Sequence, residues 1–287
     1  MLGRHGQRHS QSQSRSELEL PGRSRVIHST LEMAIRLEQA ATALGYDALQ
    51  SHRGLFPHSS AEAVAFGSGV ALFLNEDSPL THVRGAGMAG QTAASEVDEM
   101  EGFFNERMAP VTMTLTPFAD PALLTHLTRR GYEYGSFLNT MVRAVSAADA
   151  CADPDVAAAA DEHEWSRLMA EAFFDVATPM GLDLGRTLYG LPTCRNLIVR
   201  AGPEPAAGAQ LDIREGLGIF QCDGTLIRFR GEGLQTKLIR ARLSMAAQAG
   251  CDLVTADTAP GSQSQRNYER QGFQVIYTKM TLIKPCF

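Results

Sequence analysis

Two glycines stand immediately before a helical pattern in the stretch RFRGEGLQTKLIRARL, residues 228–243. A glycine at a helix start costs backbone entropy and supplies no packing, so Gly231 and Gly233 indicate that something approaches the backbone closely. The first helical residues carry backbone N–H groups without intrahelical partners and the positive end of the helix dipole, which together favour phosphate. The stretch therefore predicts a phosphate-binding loop, with a plain helix start or a tight turn as the alternative.

Two common phosphate-binding patterns do not fit this loop. A P-loop has a glycine before its lysine and a hydroxyl residue after it, but Lys237 follows Thr236 and precedes Leu238. The dinucleotide-binding pattern has a third glycine where this sequence has Thr236. The loop is therefore not predicted to bind a nucleoside triphosphate or a dinucleotide.

The second half of the chain resembles the GNAT N-acetyltransferases at this loop. In that family Arg/Gln-x-x-Gly-x-Gly/Ala leads from a strand into a helix that binds the pyrophosphate of coenzyme A, and residues 230–235 occupy the loop here. Gln235 stands at the family's last small residue, which is a departure from the pattern. A literal match also begins at Arg228, but we set it aside because its register places the helix start too late.

The resemblance implies a set of site residues and a mechanism. Tyr268 stands four residues before the Gly272–Phe273 pair, as a tyrosine commonly does in the family, and is the candidate general acid for the departing thiolate. The alternative is a tyrosine that only packs against the sheet. The implied acetyl-CoA site consists of Thr225, Leu226, Ile227, Arg230, Gly231, Glu232, Gly233, Leu234, Gln235 and Asn267.

The implied reaction is direct attack of an amine on the acetyl thioester, without a covalent enzyme intermediate. A backbone N–H of the strand near residues 224–226 would hold the oxyanion. The acceptor is a small-molecule or peptide amine. The general base stays unassigned, with Asp212 and Glu215 as candidates that act through water.

The elements that must position these residues follow one order in both halves of the chain. Residues 127–143 and 268–284 both contain a helix end, an arginine, a Gly-aromatic pair and a strand, which indicates an internal duplication. Apolar periodicity and turn residues predict the elements. In the first half these are a helix over 30–43 that stops at Gly45, a strand-type run over 63–74, a helix over 95–108, a strand over 111–117 and a helix from Asp120 to Gly131 followed by a β-rich run. In the second half they are a helix over 161–174, strands over 196–202, 206–213 and 216–227, a helix that stops at Gly250, a strand over 251–257, a short helix over 262–271 and a strand over 273–283.

These patterns predict an α/β fold with two GNAT-like domains, each a twisted mixed sheet flanked by helices. Residues 1–25 are predicted to be a disordered tail, 26–147 a degenerate GNAT-like domain and 156–287 the GNAT acetyltransferase domain; the boundary lies in 146–162, which shows no strand pattern. The first half carries a literal loop match, RGAGMA at 84–89, but GQTAAS separates it from the next helix. Leu127 stands there in place of the tyrosine, so we interpret this half as degenerate.

Composition excludes several classes of protein. A net charge of −6 argues against nucleic-acid binding, and no apolar run approaches the length that spans a bilayer. The five scattered cysteines fit reduced thiols and a cytoplasmic location, and the eight histidines lack metal-ligand spacing, so no metal is predicted. A homodimer stays open. Two other functions stay open as well: a non-catalytic acyl-CoA-binding or regulatory module, and a scaffold whose glycines are only turns.

Overall fold

A computed structural model describes residues 26–151 and 153–286, so the predicted tail, 1–25, lies outside the described residues. The first half contains α1 (Leu31–Leu55), β1 (Glu62–Phe66), β2 (Gly69–Phe73), β3 (His82–Arg84), α2 (Ala94–Asn105), β4 (Val111–Leu115), α3 (Pro121–Arg129) and β5 (Glu133–Ala144). The second half contains β6 (Val156–Ala158), α4 (Glu162–Phe174), α5 (Pro179–Tyr189), β7 (Cys194–Ala201), β8 (Glu204–Arg214), β9 (Leu217–Thr225), α6 (Leu234–Gln248), β10 (Leu253–Thr258), α7 (Gln263–Arg270) and β11 (Gln274–Lys284). Among the described residues, none of the helices combines the length and the apolarity needed to cross a lipid bilayer.

All the described strands join one mixed sheet in the order β1-β2-β3-β4-β11-β5-β10-β9-β8-β7-β6. Only the β3–β4 and β9–β10 pairs of this sheet are parallel, and each pair encloses one helix, α2 or α6, in the chain. Each half then continues with a short helix and a long last strand, α3 and β5 or α7 and β11. The α/β fold with a mixed sheet is therefore confirmed. From β1 and from β7 onwards the two halves repeat the same order of elements, whereas β6 and α5 are additions of the second half.

The two halves exchange their last strands. β5, which ends the first half, pairs with β10 from Ala144↔Leu253 to Asn139↔Thr258. β11, which ends the second half, pairs with β4 from Met280↔Leu115 to Lys284↔Val111. Each apolar core accordingly includes a residue from the other half. Leu282 packs in the cluster around Phe104 and Leu123, and Met141 packs in the cluster around Ile239 and Tyr268.

Helix α1 lies across the sheet and contacts both halves. Thr30 caps its first turn, because its side chain accepts a hydrogen bond from the Met33 N–H. Leu37 packs near its start with residues of β5, β9, β10 and β11, whereas Leu49 packs near its end with β2. The helix therefore covers the centre of the sheet, above the place where β9 and β10 meet.

The helix prediction that stopped α1 at Gly45 is wrong, because α1 continues to Leu55. Gly45 has a packing role instead. A Cβ at this position would lie 2.6 Å from Leu72 Cδ1, so the absent side chain lets α1 approach β2. Glycine weakens a helix without ending it when tertiary packing compensates.

Four other elements differ from the sequence prediction. The run 63–74 is a hairpin, β1 and β2, that turns at Gly67 with φ of 54°. The strands β3 and β6 and the helix α5 were not predicted, and β6 lies in the segment taken as the domain boundary. The strand β6 is three residues long and pairs with β7, so its pattern is too short to detect. The domain limits 26–147 and 156–287 stay a prediction.

Candidate functional site

The glycine loop before α6 is open. Gly231 and Gly233 have φ of 89° and 78°, in the left-handed region that glycine tolerates, and Gly233 is the N-cap of the helix. A Cβ on either residue would meet no protein atom within 4 Å. The structure gives the backbone N–H groups of residues 231–236 no acceptor among the described residues, and the first intrahelical donor is Lys237 N–H to Gly233 O. Several free donors therefore lie together at the positive end of a helix dipole.

These donors line a cavity of about 540 Å³, which we call the loop cavity. Seven of the ten predicted coenzyme residues line it: Thr225, Arg230, Gly231, Gly233, Leu234, Gln235 and Asn267. Sequence reasoning missed several other lining residues, including Phe229, Thr236 and Arg270. Arg230 and Arg270 are exposed and add two cationic groups to the rim of the cavity.

Three predicted residues do not line the loop cavity. Leu226 is buried in the apolar cluster around Trp165, and its N–H donates to Ala206 O. Ile227 and Glu232 are exposed. The objection to the literal match that begins at Arg228 is wrong, since α6 begins directly after the last glycine of that match, although Arg228 itself pairs with Glu204 and does not line the cavity.

Gln235, the departure from the family pattern, connects α6 to α7. Its Nε2 donates to Ser264 Oγ at 2.8 Å, and its Oε1 accepts from Asn267 Nδ2 at 2.7 Å. Asn267 Oδ1 in turn accepts from Arg270 Nη1 at 3.0 Å. The side chain in place of the small residue therefore fixes the helix start and one wall of the loop cavity through hydrogen bonds.

The corresponding loop of the first half is filled by protein atoms. A Cβ on Gly85 would lie 2.9 Å from Thr42 Oγ1, and a Cβ on Gly87 would lie 3.0 Å from the Asp120 N. The N–H groups of Met88 and Ala89 donate to Ser68 Oγ at 2.9 and 3.2 Å. The first loop therefore lacks the open space of the second loop, and two of its N–H groups are already used within the protein.

Strands β9 and β10 separate beside the loop cavity. Their parallel ladder ends at Phe220↔Ala256, although β9 continues to Thr225 and β10 to Thr258. A bulge accompanies the separation, because two residues of β9, Cys222 and Asp223, oppose one residue of β8, and Cys222 has φ of 56°. Bulges bend a strand and redirect its side chains. The gap opens towards α1.

A second cavity of about 440 Å³, which we call the central cavity, lies at this gap. Residues 220–223 of β9 and 255–258 of β10 line one side, and α1 lines the other with Leu37, Ala41 and Leu44. Asp223 and Ser264 line both cavities, so the two cavities meet there. A ligand bound at the loop could accordingly extend between the strands towards a second ligand under α1.

Tyr268, the predicted general acid, is 1% exposed and lines neither cavity. Its hydroxyl donates to Asp223 Oδ2 at 2.5 Å and accepts from Arg242 Nη2 at 3.3 Å, while Arg242 also pairs with Asp223. Burial raises the pKa of the Tyr268 phenol well above its ordinary value. Sequence reasoning missed Asp223 and Arg242. Both contact the Tyr268 hydroxyl and keep it against the Asp223 carboxylate, at the place where the two cavities meet.

The other candidate chemical groups are placed as follows. Asp212 is buried and paired with Arg214, and Glu215 lies in the β8–β9 turn, so neither candidate base lines the central cavity or the loop cavity. The Cys222 thiol lines the central cavity, but burial raises its pKa to about 12, which keeps it protonated at neutral pH. In residues 26–151 and 153–286, no three His, Cys, Asp or Glu side chains cluster so that they could hold a metal ion.

Comparison with known proteins identifies the architecture. No protein-family profile matches the sequence, and no curated protein matches it significantly. Among solved structures, a GCN5-related N-acetyltransferase from Kribbella flavida superposes with a TM-score of 0.60 at 20% identity, over 86% of this chain and 96% of that one. The chain has the GNAT fold. The open glycine loop lies where the resemblance places the pyrophosphate site of that fold.

Two further structures support the same fold. A GCN5-related N-acetyltransferase from Sphaerobacter thermophilus has a TM-score of 0.51 at 16% identity, over 66% of each chain. A tandem GNAT protein from the clavulanic acid biosynthesis pathway has a TM-score of 0.51 at 12% identity, over 66% of this chain and 68% of that one. These identities are low, so the likeness concerns the GNAT fold and leaves the reaction to the site itself.

Proposed function

We propose that the chain is an N-acetyltransferase that moves an acetyl group from acetyl-CoA to an amine by direct attack. One observation carries the proposal: the loop before α6 combines free N–H donors with open space, whereas the matching loop of the first half is filled. Free amides at a helix N-terminus suit a pyrophosphate, and the residues present therefore fit coenzyme A. Acetyl-CoA would supply the activated acetyl thioester.

The residues of this chain would bind and orient both substrates. Gly231 and residues 233–236 would bind the pyrophosphate through their N–H groups, with Arg230 and Arg270 balancing its charge. The gap between β9 and β10 would lead from the loop cavity to the central cavity, where α1 shields the acceptor from water. Holding the two reactants in neighbouring cavities supplies proximity, which is a large part of the barrier for such a transfer.

The proton steps would centre on Asp223 and Tyr268. Asp223 lines both cavities, so its carboxylate is near enough to accept the amine proton directly or through one water. Tyr268 stays the candidate acid, but its hydroxyl must leave Asp223 to protonate a thiolate. The protonated Cys222 thiol supports direct transfer over an acetylated cysteine.

An alternative function, a non-catalytic acyl-CoA-binding or regulatory module, is favoured by the burial of Tyr268 away from both cavities. Incubation with acetyl-CoA and a panel of small amines and peptides, with thiol release and product mass as readouts, separates the two. The enzyme should release thiol faster with some acceptor and give an acetylated product. The module should bind coenzyme A in calorimetry and turn nothing over. Absence of coenzyme A binding would contradict both and favour a scaffold.

A further inference from the structure

The central cavity holds four charged side chains, and three of them are paired within the protein. Lys279 Nζ lies 2.9 Å from Glu38 Oε1 and 3.0 Å from Asp257 Oδ2. Asp257 Oδ1 also accepts a hydrogen bond from Thr140 Oγ1 at 2.8 Å. Asp223 is held by Arg242 and Tyr268, as described above. The acidic groups near the cavity are therefore already engaged.

Arg84, the fourth charged residue of the central cavity, makes no such close pair, although Glu38 and Asp257 lie near enough to oppose the lowering of its pKa by burial. Among the described residues no carboxylate lies within 4 Å of its guanidinium, and its Nε is buried without a hydrogen bond. A guanidinium stays protonated at any physiological pH. A buried charge without a partner is costly unless a ligand supplies the counter-charge. Burial therefore leaves Arg84 Nε without an acceptor, and the guanidinium lines a cavity that an anionic ligand could enter.

The Arg84 side chain is held in place beneath α1. Its Cδ and Nε lie 3.6 and 3.8 Å from the position that a Cβ on Gly45 would occupy, so the side chain runs alongside α1 at this residue. Arg84 ends β3 and begins the RGAGMA match of the first half. The half whose loop is filled thus contributes the free cation of the central cavity.

We propose, resting on the acetyltransferase function above, that the acceptor is a small amine that carries a carboxylate, and that Arg84 binds this carboxylate. A carboxylate supplies the acceptor that the Arg84 guanidinium lacks, whereas a phosphate dianion would add more negative charge beside Asp257 and Asp223. The volume of about 440 Å³ suits a small molecule rather than a peptide chain. The leucine and alanine side chains of α1 that line the cavity suit an apolar body, as in an apolar amino acid.

Matched acceptors test the proposal on the unaltered protein. Leucine, leucinamide and isoamylamine share the apolar body, but only leucine keeps the carboxylate. We expect kcat/KM for acetyl transfer to leucine to exceed that for leucinamide by roughly ten- to hundredfold, the range of a charge-assisted hydrogen bond. Equal values, or a preference for leucinamide or isoamylamine, would overturn the proposal while leaving the acetyltransferase function intact.

Two variants place the preference at Arg84. Arg84→Gln should remove the preference for leucine over leucinamide and leave the Kd for coenzyme A unchanged, because Arg84 does not line the loop cavity. Arg84→Lys keeps the charge without the two-pronged contact and should retain part of the preference, which guards against misfolding of the glutamine variant. A full preference in folded Arg84→Gln would contradict the assignment.

A binding measurement separates this proposal from the acetyltransferase function. If no amine is acetylated, calorimetry of leucine and leucinamide against the protein saturated with desulfo-coenzyme A decides the acceptor class alone. Tighter binding of leucine, lost in Arg84→Gln, would support the carboxylate site even though the proposed reaction fails. Equal binding of the two would overturn the carboxylate site.

Discussion

Replacing Gly233 by alanine tests whether the open loop binds coenzyme A through its backbone. An alanine held at φ near 78° costs about 1–2 kcal/mol of stability, since only glycine adopts the left-handed region freely. Its Cβ would meet no protein atom, so the methyl group would project into space that the pyrophosphate requires, or the loop would shift to relieve the strain. Either change misaligns at least one amide. One lost charge-assisted hydrogen bond, about 1.5–3 kcal/mol, weakens Kd roughly 10- to 150-fold.

Gly250 supplies the matched control at the other end of the same helix. It has φ of 75° and equally open surroundings, but it does not line the loop cavity. Gly250→Ala should therefore lower the melting temperature about as much as Gly233→Ala and leave the Kd for coenzyme A unchanged in titration calorimetry. Equal, unaltered Kd values for both folded variants would refute the role of the loop.

Three further perturbations address Tyr268, Cys222 and Lys279. Tyr268→Phe should abolish turnover and retain the Kd for coenzyme A if the phenol is the acid; unchanged turnover would make Tyr268 a packing residue. In the folded protein the pKa of the Cys222 thiol is raised from about 9 to about 12, so between these pH values only the unfolded state loses the thiol proton. The free energy of unfolding should therefore fall as the pH rises through this range. Urea titrations should show a less steep fall in Cys222→Ser. Lys279→Met should lower the free energy of unfolding in urea by about 3–5 kcal/mol, because Glu38 loses its buried partner. Lys237→Met removes an exposed ion pair and should change stability little. Equal losses in the two variants would contradict this argument.

The sequence predicted the loop and its helix well because the signals are local. Gly233 at the N-cap, the serine cap of α7 and the glycine after α6 act within one turn of their helices. The contact between Asp223, Arg242 and Tyr268 joins residues up to 45 positions apart, and no spacing rule reports it. Gly45 misled the helix prediction because its role depends on Leu72, a residue of another element.

The exchange of last strands could not be read from the sequence for a different reason. β5 and β11 come from the repeated segments 127–143 and 268–284, so each follows a helix end and a Gly-aromatic pair as a β-rich run. A strand of that pattern fits next to β4 or next to β10 equally well by propensity. The ladders of the structure show which neighbour each strand has, and Leu282 and Met141 accordingly pack in opposite cores.

The strand exchange also sets the order in which the molecule can be completed on the ribosome. The first half emerges with β4 and β5 present, but the strand that lies between them, β11, is synthesised only after residue 273. Until then the nascent chain exposes unpaired strand edges, which are prone to wrong pairing. A premature stop before β11 would therefore open the sheet of the first half, although every residue of that half had been translated.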